Sequence, residues 1–291
     1  MSPQIGVAKG IPSGVELTYR CNNNCVFCFY HEIKNLDEMP LHEAMESILR
    51  LKESGYKVIR LRGGEPTTYS KLDELLRFIK EEGLKVAMTT NCSKFDTAFS
   101  RKMRDFGLIT VYTSLHGHTP RIHESITRRK GSFAETVAGI KNLLKLGVAV
   151  ETNTTICSLN YDTFPEIAHF LCNEFDSLFS CRFSYLYLGN NQKLSDLLVD
   201  FTTLRPELEK AISIIEKEGK KFFIEKAPIC AAPRYSSYFK AEKFVSDINY
   251  KPHICGQCAY FKDKYCVGVS RHYLEKFGEE GLIPLIKTKK K

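Results

Sequence analysis

No stretch of about eighteen or more consecutive apolar residues occurs in this sequence, so a membrane-spanning helix is not expected. The first dozen residues, Met1 to Pro12, lack a charged segment followed by an apolar one, so a secretory signal is not expected either. That bears on the eleven cysteines: without an export signal, metal or redox chemistry in the cytoplasm is a better expectation than a disulfide framework. An aromatic–basic signature of RNA binding is also missing. The formal charge of +8 therefore does not favour nucleic acid, and it suits an anionic substrate or an acidic electron donor equally well. No pair of residues reads as a general acid and base. What remains is a globular composition, 43% hydrophobic over 291 residues, enough for one large domain or one domain with an appendage.

Short β-rich runs alternate with amphipathic helical segments. Strands are predicted over Val15–Tyr19, Val58–Leu61, Lys85–Thr90, Ile109–Leu115, Val148–Ile156 and Arg182–Leu188. Between them lie helical stripes such as Leu41, Ala44, Met45, Ile48, Leu49 and Leu51, or Leu72, Leu75, Leu76 and Ile79. Ser70 is the expected cap of the second helix, and Asp96–Phe106 the third. Ser132 with Glu135, and Thr163 with Glu166, are spaced as capping boxes for the next two, and Pro206–Glu218 is the sixth. Six strand–helix units imply a parallel α/β sheet, with the active face at the loops after the strand C-termini. After the sixth helix this rhythm is expected to end.

The first of those loops holds Cys21, Cys25 and Cys28, a C-x3-C-x2-C spacing with the aromatic Phe27 before the last thiol. Three thiolates from one loop suit three corners of an iron–sulfur cubane, leaving one iron open. A structural zinc loop is the alternative, although only Cys25 and Cys28 fit the usual zinc pairing. After the second strand comes Arg62-Gly63-Gly64-Glu65-Pro66, where glycines permit close backbone approach and the carboxylate can accept from an ammonium group. Read alone it is an ordinary turn.

Together, these motifs at adjacent strand ends resemble the signature of the radical S-adenosylmethionine (radical SAM) superfamily. The resemblance implies an open, partial (β/α)6 radical SAM barrel over residues 1–204, with a small cysteine-rich extension over 205–291. It implies that Cys21, Cys25 and Cys28 hold a [4Fe-4S] cluster and that SAM chelates the open iron. It places Gly63, Gly64 and Glu65 at the SAM amino group and Phe27 near the adenine. Asn91, Ser114, Ser132, Asn153 and Gly189 sit where relatives place further SAM contacts. Ser132 also reads as a plain helix cap. His116 departs from the family, which has an acid in that turn.

Cys230, Cys255, Cys258 and Cys266 follow in the spacing C-x24-C-x2-C-x7-C, which fits tetrahedral zinc or a fully ligated cluster. This region resembles the SPASM and twitch extensions that carry auxiliary [4Fe-4S] clusters, with fewer cysteines than a full two-cluster version. The remaining Cys92, Cys157, Cys172 and Cys181 read as core residues, with Cys157 a speculative hydrogen-atom donor. By resemblance, SAM is cleaved reductively to a 5′-deoxyadenosyl radical, which takes a hydrogen atom from an unactivated carbon of a peptide or small-molecule substrate. Flavodoxin or ferredoxin would supply the electron, and the auxiliary cluster would relay another. An epimerase with a cysteine donor is one alternative; a non-catalytic zinc or iron–sulfur module is another. No separate N-terminal peptide-recognition module is read, because the core begins near Val15.

Overall fold

A computed structural model describes residues 14–28, 30, 33, 37–188, 192–240, 250–262 and 266–286. The fold is an open, parallel α/β fold whose eight strands follow chain order, β1 to β8. Two compact units divide the chain. The first comprises Met1–Leu115, His123–Thr152 and Ser177–Phe179; the second comprises His116–Ile122, Asn153–Asp176 and Ser180–Lys291. Among the described residues, no helix is long and apolar enough to cross a membrane.

In the first unit, β1 (Gly14–Thr18), β2 (Val58–Gly63), β3 (Lys85–Thr90) and β4 (Leu108–Ser114) pair in parallel. Their alternation sorts the residues by face. Val15 and Leu17, Ile59 and Leu61, Val86 and Met88 are buried, while Glu16, Arg60, Arg62 and Thr89 occupy the other face. Of the crossover helices α1 (Leu41–Glu53), α2 (Leu72–Glu81) and α3 (Thr97–Asp105), α2 buries its whole expected stripe, while α1 buries Ala44, Ile48 and Leu51 and leaves Leu49 exposed. Asp96 caps α3, its carboxylate accepting from the Phe99 amide at 2.8 Å.

Three expected caps are not formed. Ser70 lies one residue outside the cap position and bonds Glu38 instead, through both its hydroxyl and its amide. The helix α5 (Ser132–Lys145) is entered through Gly131 at φ +84°, which makes Ser132 the first helical residue. Its hydroxyl turns to Thr127 Oγ1 at 2.7 Å. Thr163 does precede α6 (Phe164–Glu174), but its hydroxyl donates to the Asn160 carbonyl at 2.9 Å. The helix α4 (Pro120–Thr127) is not anticipated by the sequence.

β5 (Ala149–Ile156) runs from the first unit into the second. The second unit builds its core from β6 (Ser180–Tyr185), α6 and α7 (Phe201–Lys217), with Phe183 edge-on to Phe164 at 4.7 Å. β6 ends earlier and α7 starts earlier than the periodicity suggests, because Asp200 supplies the cap and accepts from the Thr202 amide at 2.8 Å. The β/α rhythm does not end there. β7 (Phe222–Glu225) adds in parallel beside β6, and β8 (Phe239–Lys240) beside β7. These strands are too short to carry a readable alternation. A last helix, α8 (Arg271–Phe277), is capped by Ser270.

Candidate functional site

The cysteine loop leaves β1 and is held by its own backbone. The amides of Asn24 and Val26 donate to the carbonyls of Thr127 and Ile126, both at 2.9 Å. Those carbonyls are the ones a helix leaves unpaired at its C-terminus, so the end of α4 and the loop satisfy each other. Arg129 adds a side-chain clasp, donating from Nε to Asn23 Oδ1 at 2.6 Å while its other arm pairs with Glu135. The basic run Arg128-Arg129-Lys130 therefore has one member committed to the loop.

Cys21, Cys25 and Cys28 are all half-buried and reduced. Burial pushes the Cys21 thiol up to about 11 and the Cys25 thiol up to about 12. Cys25 also feels Cys21 and Cys28 as charges, and Cys21 feels Glu65 and Cys28. Amide donors approach the Cys21 sulfur from the Asn23 backbone at 3.4 Å and from Asn91 Nδ2 at 3.9 Å. Asn91 Nδ2 also donates to Asn22 Oδ1, and Asn22 in turn to Ser93 Oγ, both at 2.7 Å. Asn22, Asn23 and Ser93 escape sequence reasoning because their partners are tens of residues away.

Gly63 and Gly64 have a stronger requirement than approach to a ligand. A Cβ on Gly63 would fall 2.2 Å from the Thr18 carbonyl oxygen, and one on Gly64 2.3 Å from that of Arg20. Gly63 also holds φ at +135°, a conformation that favours glycine. The glycines let the end of β2 press against β1, where the amides of Gly64 and Glu65 donate to Thr18 and Arg20 at 2.7 and 2.8 Å. Glu65 is fully buried. Its carboxylate accepts from Thr67 through backbone and hydroxyl, from the Thr90 hydroxyl, and from the Asn91 amide, at 2.7 to 3.1 Å. Desolvation raises its pKa in spite of these donors, which pull the other way.

The other expected site residues belong to both units. Phe27 and Ser114 are half-buried in the first unit, and Ser132 is buried there. Asn153 belongs to the second unit and accepts from Ser184 Oγ at 2.6 Å. Gly189 lies outside the described residues. His116 is buried in the second unit, with the Thr155 amide on its Nδ1 at 3.3 Å and Asn160 Nδ2 on its carbonyl at 2.9 Å. Its role there is to anchor the chain after β4. Cys92, Cys157, Cys172 and Cys181 are buried.

In the second unit, Cys230, Cys255, Cys258 and Cys266 line one cavity of about 410 Å3, open solvent at its mouth included. Burial pushes the Cys230 thiol up to about 12 and the Cys255 thiol up to about 11, and both feel Cys266 as a charge. Arg205 of α7 holds the Cys230 carbonyl with two donors at 2.9 and 3.1 Å. Among the described residues, no three His, Cys, Asp and Glu side chains converge tightly enough to grip a single ion.

Three comparisons bear on this geometry. The sequence pattern of the Radical SAM superfamily matches residues 15–171. The Fe-coproporphyrin III synthase of Methanosarcina barkeri is 29% identical over 210 residues, covering 70% of this chain and 50% of that protein. A probable GTP 3′,8-cyclase of Sulfurisphaera tokodaii is 30% identical over 159 residues, covering 54% and 50%. The chain thus spans about half the length of the curated relatives it matches. Among solved structures, Streptococcus suis SuiB bound to the precursor peptide SuiA superimposes with a TM-score of 0.61 at 18% identity, over 76% of this chain and 50% of that one. That likeness is one of fold.

Proposed function

Because the chain belongs to the radical SAM superfamily, whose members use a [4Fe-4S] cluster and SAM, we propose that Cys21, Cys25 and Cys28 hold that cluster here and that the chain is a hydrogen-abstracting enzyme. The observation that carries the reading is the pairing of the cysteine loop with the Gly63–Glu65 turn, locked together at the ends of β1 and β2. The donor set fits the group. Three soft thiols share one loop, and amide donors reach the Cys21 sulfur. When bound, the reduced cluster and SAM supply a 5′-deoxyadenosyl radical that removes a hydrogen atom from substrate.

The chain's residues hold and orient. Asn91 joins the two halves of the site, since its amide fixes Glu65 and its side chain reaches Cys21. Glu65, shielded from water, offers its carboxylate to the SAM ammonium. Phe27, Ser114, Ser132, Asn153 and Gly189 are further SAM contacts in this reading. Cys230, Cys255, Cys258 and Cys266 hold an auxiliary cluster in the cavity they line, fully ligated and so suited to relaying an electron. The substrate is a peptide or a small molecule, in line with the range of the relatives, and a flavodoxin or ferredoxin delivers the electron.

The test is anaerobic expression followed by reduction in the presence of SAM. A brown protein that forms 5′-deoxyadenosine is the expected result. A colourless zinc protein, or a cluster whose spectrum SAM leaves unchanged, overturns the reading.

A further inference from the structure

Asn22, Asn91 and Ser93 close a ring of hydrogen bonds beside the Cys21 sulfur, and the ring fixes which way each side-chain amide points. The Ser93 backbone N–H donates to Asn91 Oδ1 at 3.0 Å. A peptide N–H can only donate, so the other arm of the Asn91 amide, its Nδ2, has to face the cysteine loop. That nitrogen donates to Asn22 Oδ1 at 2.7 Å and to the Cys21 sulfur at 3.9 Å. Asn22, with its oxygen so used, turns its own Nδ2 to Ser93 Oγ at 2.7 Å. Reversing either amide would set donor against donor.

An asparagine whose oxygen accepts from the amide two residues on is a common turn, and that bond alone would mean no more. Two further observations set this turn apart. Cys92, between Asn91 and Ser93, is buried and holds φ at +60°, a left-handed conformation that residues with a side chain avoid. The helix α5 holds the turn in place. Its Thr136 hydroxyl donates to the Asn91 carbonyl at 2.9 Å, and a Cβ on its Gly139 would fall 2.2 Å from the Cys92 carbonyl oxygen. Strain kept in place by its surroundings points to a function for the group it aims. In addition, the Asn91 backbone amide donates to Glu65 at 2.7 Å. The residue aimed at Cys21 is thus tied by its main chain to the carboxylate proposed for the SAM ammonium.

We propose that Asn91 raises the reduction potential of the cluster assigned to Cys21, with Asn22 and Ser93 as the positioning residues that aim its N–H. The inference deepens that assignment and rests on it. An N–H aimed at a ligand sulfur stabilises the extra negative charge that reduction brings, and so favours the reduced form over the oxidised one. The Asn23 backbone amide, at 3.4 Å, gives the same sulfur a second donor. The electron comes from the acidic carrier protein of the proposed function, and no bond forms or breaks in this step. A carrier of given strength then reduces a larger fraction of the enzyme.

The test is a potentiometric titration of the full chain, prepared anaerobically with its iron and measured without SAM. It follows the electron paramagnetic resonance signal that responds to SAM when SAM is added afterwards. Asn91→Ala keeps the backbone amide on Glu65 and removes the side-chain donor. It should lower the potential, making reduction about threefold less favourable. Ser93→Ala should shift it in the same direction by less. Ser93→Thr keeps an oxygen for Asn22 and should hold the parent value. If Asn91→Ala loses its iron, the two Ser93 variants decide alone. A potential that Asn91→Ala leaves unmoved or raises, or that Ser93→Thr moves as far as Ser93→Ala, overturns the proposal. Iron content and 5′-deoxyadenosine formation in the parent protein report on the cluster assignment. A parent without a SAM-responsive cluster ends both readings, whereas such a cluster with an unmoved potential ends this one alone.

Discussion

His123, on α4, is buried against the ring of Phe133 at 5.9 Å, and desolvation together with the nearby Arg129 charge lowers its pKa from 6.5 to about 4. The imidazole is thus neutral when folded but takes a proton in the unfolded chain at mildly acidic pH. Its contribution is fully present above pH 6.5 and is lost as pH falls toward 4. Between pH 7.5 and 5.5 the chain should lose roughly 1 kcal/mol of stability from this residue. His123→Gln should flatten that part of the profile, measured by denaturant titration at the two pH values. The same scale shows what sequence can and cannot convey. The Gly63-Gly64-Glu65 run is contiguous and therefore legible, but its reason is not: the glycines answer to the backbone of Thr18 and Arg20, more than forty residues earlier. Ser70, Ser132 and Thr163 look like caps because cap residues bond locally. Each found a competing partner: the distant Glu38 for Ser70, and the equally local Thr127 and Asn160 for Ser132 and Thr163.

Among the elements, α4 bears most directly on the site. Its terminal carbonyls receive the Asn24 and Val26 amides, and Arg129, just beyond it, clasps Asn23. Arg129→Met removes the clasp without touching a thiol. The expected outcome is iron loss to a chelator about tenfold faster than in the parent protein, with an unchanged far-ultraviolet dichroism spectrum. The element was illegible in the sequence because it is a single short helix, Pro120–Thr127, without a clear apolar stripe beside a basic run. The longer helices α1, α2 and α5 were legible because three or four turns repeat the pattern, although Leu49, expected on the buried stripe of α1, is exposed. β7 and β8 failed for the opposite reason: strands of four and two residues repeat nothing.

For the whole molecule, the decisive quantity is iron stoichiometry. Two cubanes predict about eight iron atoms per chain. Replacing Cys255 and Cys258 together with serine should leave about four, with the SAM-dependent spectral change of the remaining cluster intact. A parent protein holding about four irons and one zinc would reassign the second site. The paired motifs in the first unit announced the superfamily from sequence, because chemistry there is concentrated in two short runs. The other walls of the cavity that the four C-terminal cysteines line were not announced: Ile229, Lys251 and Leu282 stand far apart in sequence, and only the fold brings them together.

The exchange of hydrogen bonds between the end of α4 and the cysteine loop has a consequence for assembly. Small zinc modules are shaped by their metal and collapse without it. Here the mould is cast by the protein's own hydrogen bonds, from backbone and side chains, so a scaffold protein delivering iron and sulfide meets a finished receptacle, and stripping the metal should leave the loop ready to be filled again.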